Sequence, residues 1–153
     1  MSIRLSVQRS PRGSGPPRPA LLRWVRSALA GRRQRAEVVL RIVDATEGAR
    51  LNALWRGKPH PTNVLSFPVG EPPSVVPDLL GDLVLCAPVV SLEAQAQGKT
   101  EEAHWAHLVI HGTLHLLGFD HQKAREARVM EALERDILFK LGYPDPYEAH
   151  HTL

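Results

Sequence analysis

The stretch His111-Gly-Thr-Leu-His115-Leu-Leu-Gly118-Phe-Asp120-His121 decides how this chain is read. His111 and His115 stand four residues apart, so a helix stacks them on one face, where two imidazoles can meet a single ion. Gly118 is able to take the left-handed conformation that ends a helix, so the chain turns and His121 returns as a third ligand. Three neutral nitrogens with an open fourth position make the geometry of a catalytic zinc. The segment is therefore expected to hold one Zn2+ through His111, His115 and His121.

The spacing of these histidines equals that of the metzincin pattern HExxHxxGxxH, with one decisive difference. Gly112 stands where those peptidases carry the glutamate that takes the proton from water. A metal still lowers the pKa of a water bound to it to ~7, so a nucleophile remains available without that carboxylate. His104 and His107 extend the same helix, and His107 with His111 offers an alternative ligand pair. The later set is preferred, because His107 and His115 lie ~12 Å apart along the axis and only the turn at Gly118 returns a third imidazole. His104 and His107 are read as buried or supporting groups. Asp120 is open to two readings, a turn residue or an acceptor for a ligand imidazole or a water proton.

Working outward, Thr100-Glu-Glu is a helix start, with acids at the positive end of the dipole, and that helix runs to Gly118. A last helix at about 122–141 closes at Gly142-Tyr-Pro. Upstream, Asp82–Cys86 and Val64–Phe67 read as strands around a Pro-rich loop at Gly70–Pro77, and Pro88 opens a short helix ending near Gly98. Asp44 offers N-cap chemistry to a helix that stops at Gly57, after the β-branched strand Glu37–Val43. A first strand at Ile3–Val7, a Pro/Gly loop at Pro11–Pro19 and a helix at Leu21–Ala30 complete the order. Without strict βαβ alternation, this is an α+β fold: a mixed, roughly four-stranded sheet packed with helices, the metal on a central helix and the turn after it, in a zincin-like layout. The 153 residues suit one domain over 1–153, with residues 147–153 a mobile tail.

Charge is polarised along the chain. Through Lys58 there are thirteen basic and three acidic residues, and after it six and thirteen. Fifteen of the nineteen basic residues are Arg, whose planar fork suits phosphate, so a polyanionic partner is favoured. Residues 1–36 hold nine Arg and no acid, as an organellar leader would, but the alternation at Ile3, Leu5 and Val7 is that of a strand. The lone Cys86 sits in an apolar run and excludes an internal disulfide, which points to a reducing compartment. No stretch reaches the ~20 apolar residues of a membrane span, so a cytoplasmic protein is expected.

Several blocks in order resemble the YbeY family of bacterial endoribonucleases, the ribosomal RNA maturation factors. They are the segment from Leu51 to Pro68, Leu80–Cys86, Ala103–His107, the histidine motif and Gly142–Tyr147. The resemblance implies a zinc-dependent, single-strand-specific endoribonuclease of late small-subunit rRNA 3′-end maturation and ribosome quality control, with ribosomal RNA or a ribosomal particle as partner. It implies that His111, His115 and His121 are the metal ligands and that Arg56 is the functional arginine. A guanidinium near the metal would hold a phosphate oxygen and offset charge building on phosphorus. Water or an RNA hydroxyl is open as the nucleophile. The chain departs from the family at Gln122–Arg125, where acids are usual, and in its N-terminal Pro/Gly/Arg segment. Two rivals remain: a metallopeptidase, opposed by Gly112, and a non-catalytic ribosome-assembly factor with structural zinc, opposed by the lack of a fourth ligand.

Overall fold

A computed structural model describes residues 1–10, 14–69, 78–120 and 122–148. Chain order is β1 (Ser2–Arg9), α1 (Arg18–Leu29), β2 (Arg35–Val43), α2 (Ala45–Arg56), β3 (Val64–Pro68), β4 (Leu79–Cys86), α3 (Ala87–Ala96), α4 (Glu101–Leu116) and α5 (Ala124–Leu141). The four strands form one mixed sheet in the order β1-β2-β4-β3. β1 pairs parallel with β2, β2 parallel with β4, and β3 antiparallel with β4. The α+β expectation with a four-stranded mixed sheet holds.

Strand alternation divides the core into two. Val38, Leu40 and Ile42 of β2 and Leu83 and Leu85 of β4 face a large cluster shared with α1, α4 and α5. Val43, Val84 and Cys86 point the other way and meet Leu51 of α2 and Leu65 of β3. The sheet thus separates α2 from α4.

Helix α4 is buried almost all round. Its aliphatics Leu108, Val109, Ile110, Leu114 and Leu116 are all in the core. At roughly 1.5–3 kcal/mol each for burial, they fix the helix far more firmly than any imidazole hydrogen bond does. One stripe escapes: His107, His111 and His115, at four-residue spacing, are only partly buried. Side-chain changes on that stripe leave the aliphatic packing of α4 in place.

Capping follows the sequence. Asp44 accepts from the Glu47 N–H and Thr100 from the Ala103 N–H, while Gly57 and Gly142 end α2 and α5 in the left-handed conformation. Helix α1 begins earlier than expected, at Arg18, with Pro17 as N-cap; a proline in the first turn gives up an N–H that has no helical partner anyway. β4 starts at Leu79, three residues ahead of the expected Asp82, because Gly81 lets the Phe67 carbonyl approach where a Cβ would collide. The Pro-rich loop expected at Gly70–Pro77 and the expected tail beyond Glu148 lie outside the described residues, as do Pro11, Arg12 and Gly13.

Candidate metal centre

The turn after α4 is built by Gly118, at φ 104°, with the Phe119 N–H reaching back to the Leu114 carbonyl at 3.2 Å. This closure aims the Phe119 carbonyl at the end of the histidine stripe, where it accepts a 2.6 Å hydrogen bond from His115 Nδ1. One turn earlier, His111 Nδ1 lies 3.3 Å from both oxygens of Glu134 on α5. A carbonyl and a carboxylate only accept. Nδ1 of each ring is therefore the donor, the orientation in which Nε2 is the nitrogen that would bind a metal. The two ring centroids are 6.3 Å apart.

Glu134 has no exposed side-chain surface and is the hub of the site. It accepts from His107 Nε2 at 2.6 Å and from the Tyr147 hydroxyl at 2.8 Å, in addition to His111. Burial by itself would push its carboxyl up, but the hydrogen bonds of His107 and His111, with the charge these rings take on in the acid range where the carboxyl titrates, outweigh burial and hold it at about 2. Burial lowers the pKa of His107, against the pull of Glu134. The geometry agrees: His107 Nδ1 is buried without a partner among the described residues, so a proton there would be an unsatisfied donor. Burial, together with the Glu134 charge, raises the Tyr147 phenol. The pair is thus an anionic carboxylate and a neutral imidazole.

One nitrogen each of His107 and His111 and a Glu134 oxygen lie within 4.8 Å of one another, close enough to hold an ion in a second arrangement. His104 serves the packing instead, since it is buried 2.9 Å from Glu93 and joins α4 to α3. Asp120 accepts from the Gln122 N–H at 3.2 Å, the contact expected of a turn residue. His121 lies outside the described residues. A cleft of about 270 Å³ opens beside His111, Met130, Glu134 and Tyr147.

Arg56 stands exposed in the last turn of α2, across the sheet from α4. No hydrogen bond among the described residues ties it to the histidines. The structure thus brings His111 and His115 together and leaves Arg56 on a separate element. Between them runs the edge strand β3, whose Ser66 hydroxyl donates to the Gly112 carbonyl at 3.4 Å.

Glu134 and Tyr147 went unread in the sequence. Glu134 had a signal, since it shares the buried face of α5 with Met130, Ile137 and Leu138, and a carboxylate on an apolar stripe needs partners. Tyr147 had none. It opens the stretch expected as a mobile tail, yet its ring packs edge-on against His107 at 5.2 Å.

The fold and the site together define an α+β protein of zincin-like layout, with imidazoles at four-residue spacing on a central helix and a buried carboxylate behind them. The family model described as Endoribonuclease YbeY matches residues 18–142. Endoribonuclease YbeY of Nitrosococcus oceani is 53% identical over 152 residues, which is 97% of this chain and 99% of that protein. Its counterpart in Alkalilimnicola ehrlichii is 57% identical over 136 residues, 86% and 82% of the two chains. A solution structure from Thermotoga maritima matches at a TM-score of 0.60 and 24% identity, over 95% of this chain and 99% of that one, which speaks to the fold alone. The chain belongs to the Endoribonuclease YbeY family, whose members are nucleases of the hydrolase class.

Proposed function

We propose that this protein is a zinc-dependent endoribonuclease that cuts unpaired RNA, acting in late maturation of the small-subunit rRNA 3′ end and in ribosome quality control. The observation that carries the reading is the pair of Nδ1 hydrogen bonds, His111 to Glu134 and His115 to Phe119, which orient both rings so that Nε2 would be the metal-binding nitrogen.

His111, His115 and His121 would hold the ion. Neutral imidazoles with fixed tautomers suit zinc, though they accept other divalent transition metals too. Zinc bound there supplies Lewis acidity and makes water acidic enough to lose a proton near neutral pH. Arg56 grips a phosphate oxygen of the substrate and offsets negative charge in the transition state. Unpaired RNA is the substrate because its backbone and bases can be splayed into a cleft, and the Arg-rich first half adds salt-sensitive affinity.

Against the peptidase reading stands the packing at Gly112. A Cβ there would lie 2.8 Å from Leu83 Cδ2 and 3.4 Å from both Ser66 Oγ and Val64 Cγ2. The place of the peptidase glutamate is filled by the sheet. No helix among the described residues is long and apolar enough to cross a membrane, and a cytoplasmic setting suits the buried free thiol of Cys86.

The cluster of His107, His111 and Glu134 favours a second arrangement of the ion, and one experiment separates the two. Metal content after zinc loading and desalting is measured for wild type, His115→Ala and His107→Ala, alongside cleavage of a single-stranded RNA. His115→Ala is expected to lose both ion and cleavage, and His107→Ala to keep the ion with affinity reduced about tenfold. Retention by His115→Ala with loss by His107→Ala would move the ion to the deeper cluster. Cleavage that survives both chelation and His115→Ala at the wild-type rate would end the metal-dependent reading.

A further inference from the structure

We propose that Trp55 is a stacking platform for an unpaired RNA base flanking the phosphate that is cut. This rests on the nuclease reading and adds to it a subsite on the opposite face of β3.

The chain has three tryptophans, and two of them belong to the core: Trp24 and Trp105 are 0% and 2% exposed. Trp55 is 63% exposed, with Leu54 beside it at 66%. An indole left in water contributes little to the core, so most of its face is available to a ligand. Its position is nonetheless defined. Phe67 meets it edge to face, with centroids 5.6 Å apart and planes at 66°, which steadies the ring while most of its surface stays open.

The surroundings select the occupant. From Gly48 to Val69 the sequence carries Arg50, Arg56 and Lys58 and no Asp or Glu. The central patch of a protein interface is depleted in charge, whereas a flat aromatic ring among cations is the surface that single-stranded nucleic acid uses. A duplex would keep its bases stacked and out of reach.

Distance to the site follows from β3. Ser66 contacts Gly112, the residue after His111, and the next residue, Phe67, turns to the opposite face and meets Trp55. One edge strand therefore separates the ring from the histidine stripe. A strand of RNA passing over that edge would place one phosphate near the histidines and a neighbouring base against the indole.

The test uses the zinc-loaded full chain and a short 2′-O-methyl oligoribonucleotide, intact or with one abasic residue stepped along it. Cleavage of the unmodified RNA is followed in parallel. Trp55→Ala is expected to bind the intact oligomer about 5- to 150-fold more weakly, the range set by one stacked base, and Trp55→Phe less than about fivefold more weakly. At one position the abasic oligomer should cost wild type the same factor and cost Trp55→Ala nothing further. RNA should also shield the tryptophan fluorescence that acrylamide quenches, which comes from Trp55 because the other two rings are buried. Wild-type binding and cleavage with no loss in Trp55→Ala would overturn the stacking role and leave the nuclease reading standing. A wild type that neither binds nor cuts single-stranded RNA would overturn both. A concentration-dependent dimer abolished in Trp55→Ala, with RNA affinity unchanged, would assign this face to a second copy of the chain and end the proposal.

Discussion

Replacing Glu134 by Gln keeps the shape of the hub and removes its charge, and the structure gives the size of the effect. The carboxylate accepts from His107 at 2.6 Å, from Tyr147 at 2.8 Å and from His111 at 3.3 Å, and none of its side chain is exposed. Gln offers one acceptor oxygen and brings two N–H donors of its own, so at least one of the three donors is left facing another donor. Hydrogen bonds to a charged group contribute about 1.5–3 kcal/mol each, and stranding one inside costs a similar amount. Glu134→Gln should therefore destabilise the metal-free protein by about 2–4 kcal/mol, measured by urea unfolding at neutral pH. Loss of the acceptor at His111 Nδ1 also frees that ring to change tautomer, so zinc affinity in a competition titration should fall about 10- to 100-fold. The 15N shifts of His111 in the metal-free protein should move from an Nδ1-protonated pattern towards a mixture. A variant within about 0.5 kcal/mol of wild type, with unchanged zinc affinity and unchanged His111 shifts, would refute the assignment of Glu134 as the residue that positions His111.

Two more outcomes follow from the same packing. Gly112→Glu, which restores the peptidase motif, should lose at least about 1–3 kcal/mol in urea unfolding by forcing a side chain against Leu83, and should gain no peptide hydrolysis; a stable variant that cleaves a peptide pool would show that the position is open after all. Acid should destabilise the protein in two windows. Neutral His107 is favoured in the fold, so the unfolded chain binds that proton first and stability is lost as pH falls from about 6.5 through the lowered folded value. Glu134, at about 2 against an ordinary 4.5, adds roughly 3 kcal/mol that is present above 4.5 and lost as pH falls from there towards 2. Urea midpoints across pH 2–8 check both, and the lower window should vanish in Glu134→Gln; stability that rises on acidification below 6.5 contradicts the His107 part.

Local chemistry was legible where one residue decides one bond. Asp44, Thr100, Gly57 and Gly142 cap their helices as expected, and the four-residue spacing of His111 and His115 does stack their rings. What the chain order hid was pairing at long range. β4 lies between β2 and β3, so among the described residues the strand beside the histidine helix is an edge strand, and no periodicity within Val64–Pro68 announces that. Glu134 was hidden for a related reason. Its helix begins after the turn at Gly118 and folds back, so a residue 23 positions beyond His111 supplies the acceptor for the ring. A sequence reading that follows ligands sees the ring and misses what orients it.

Gly112 links the two faces of the site. Lacking a side chain, it lets α4 pack closely on the sheet, where a Cβ would lie 2.8 Å from Leu83 of β4 and the Ser66 hydroxyl of β3 reaches the helix carbonyl. The Ser66 bond to the Gly112 carbonyl ties β3 to the histidine helix, and alternation along β3 then sets Phe67, and through it Trp55, one strand from His111. The departure from the metzincin pattern is thus more than a missing proton acceptor. It exchanges a carboxylate at the ion for an edge strand that carries an aromatic ring and, on the helix beyond it, Arg56, a set of groups suited to a stacked base and a phosphate.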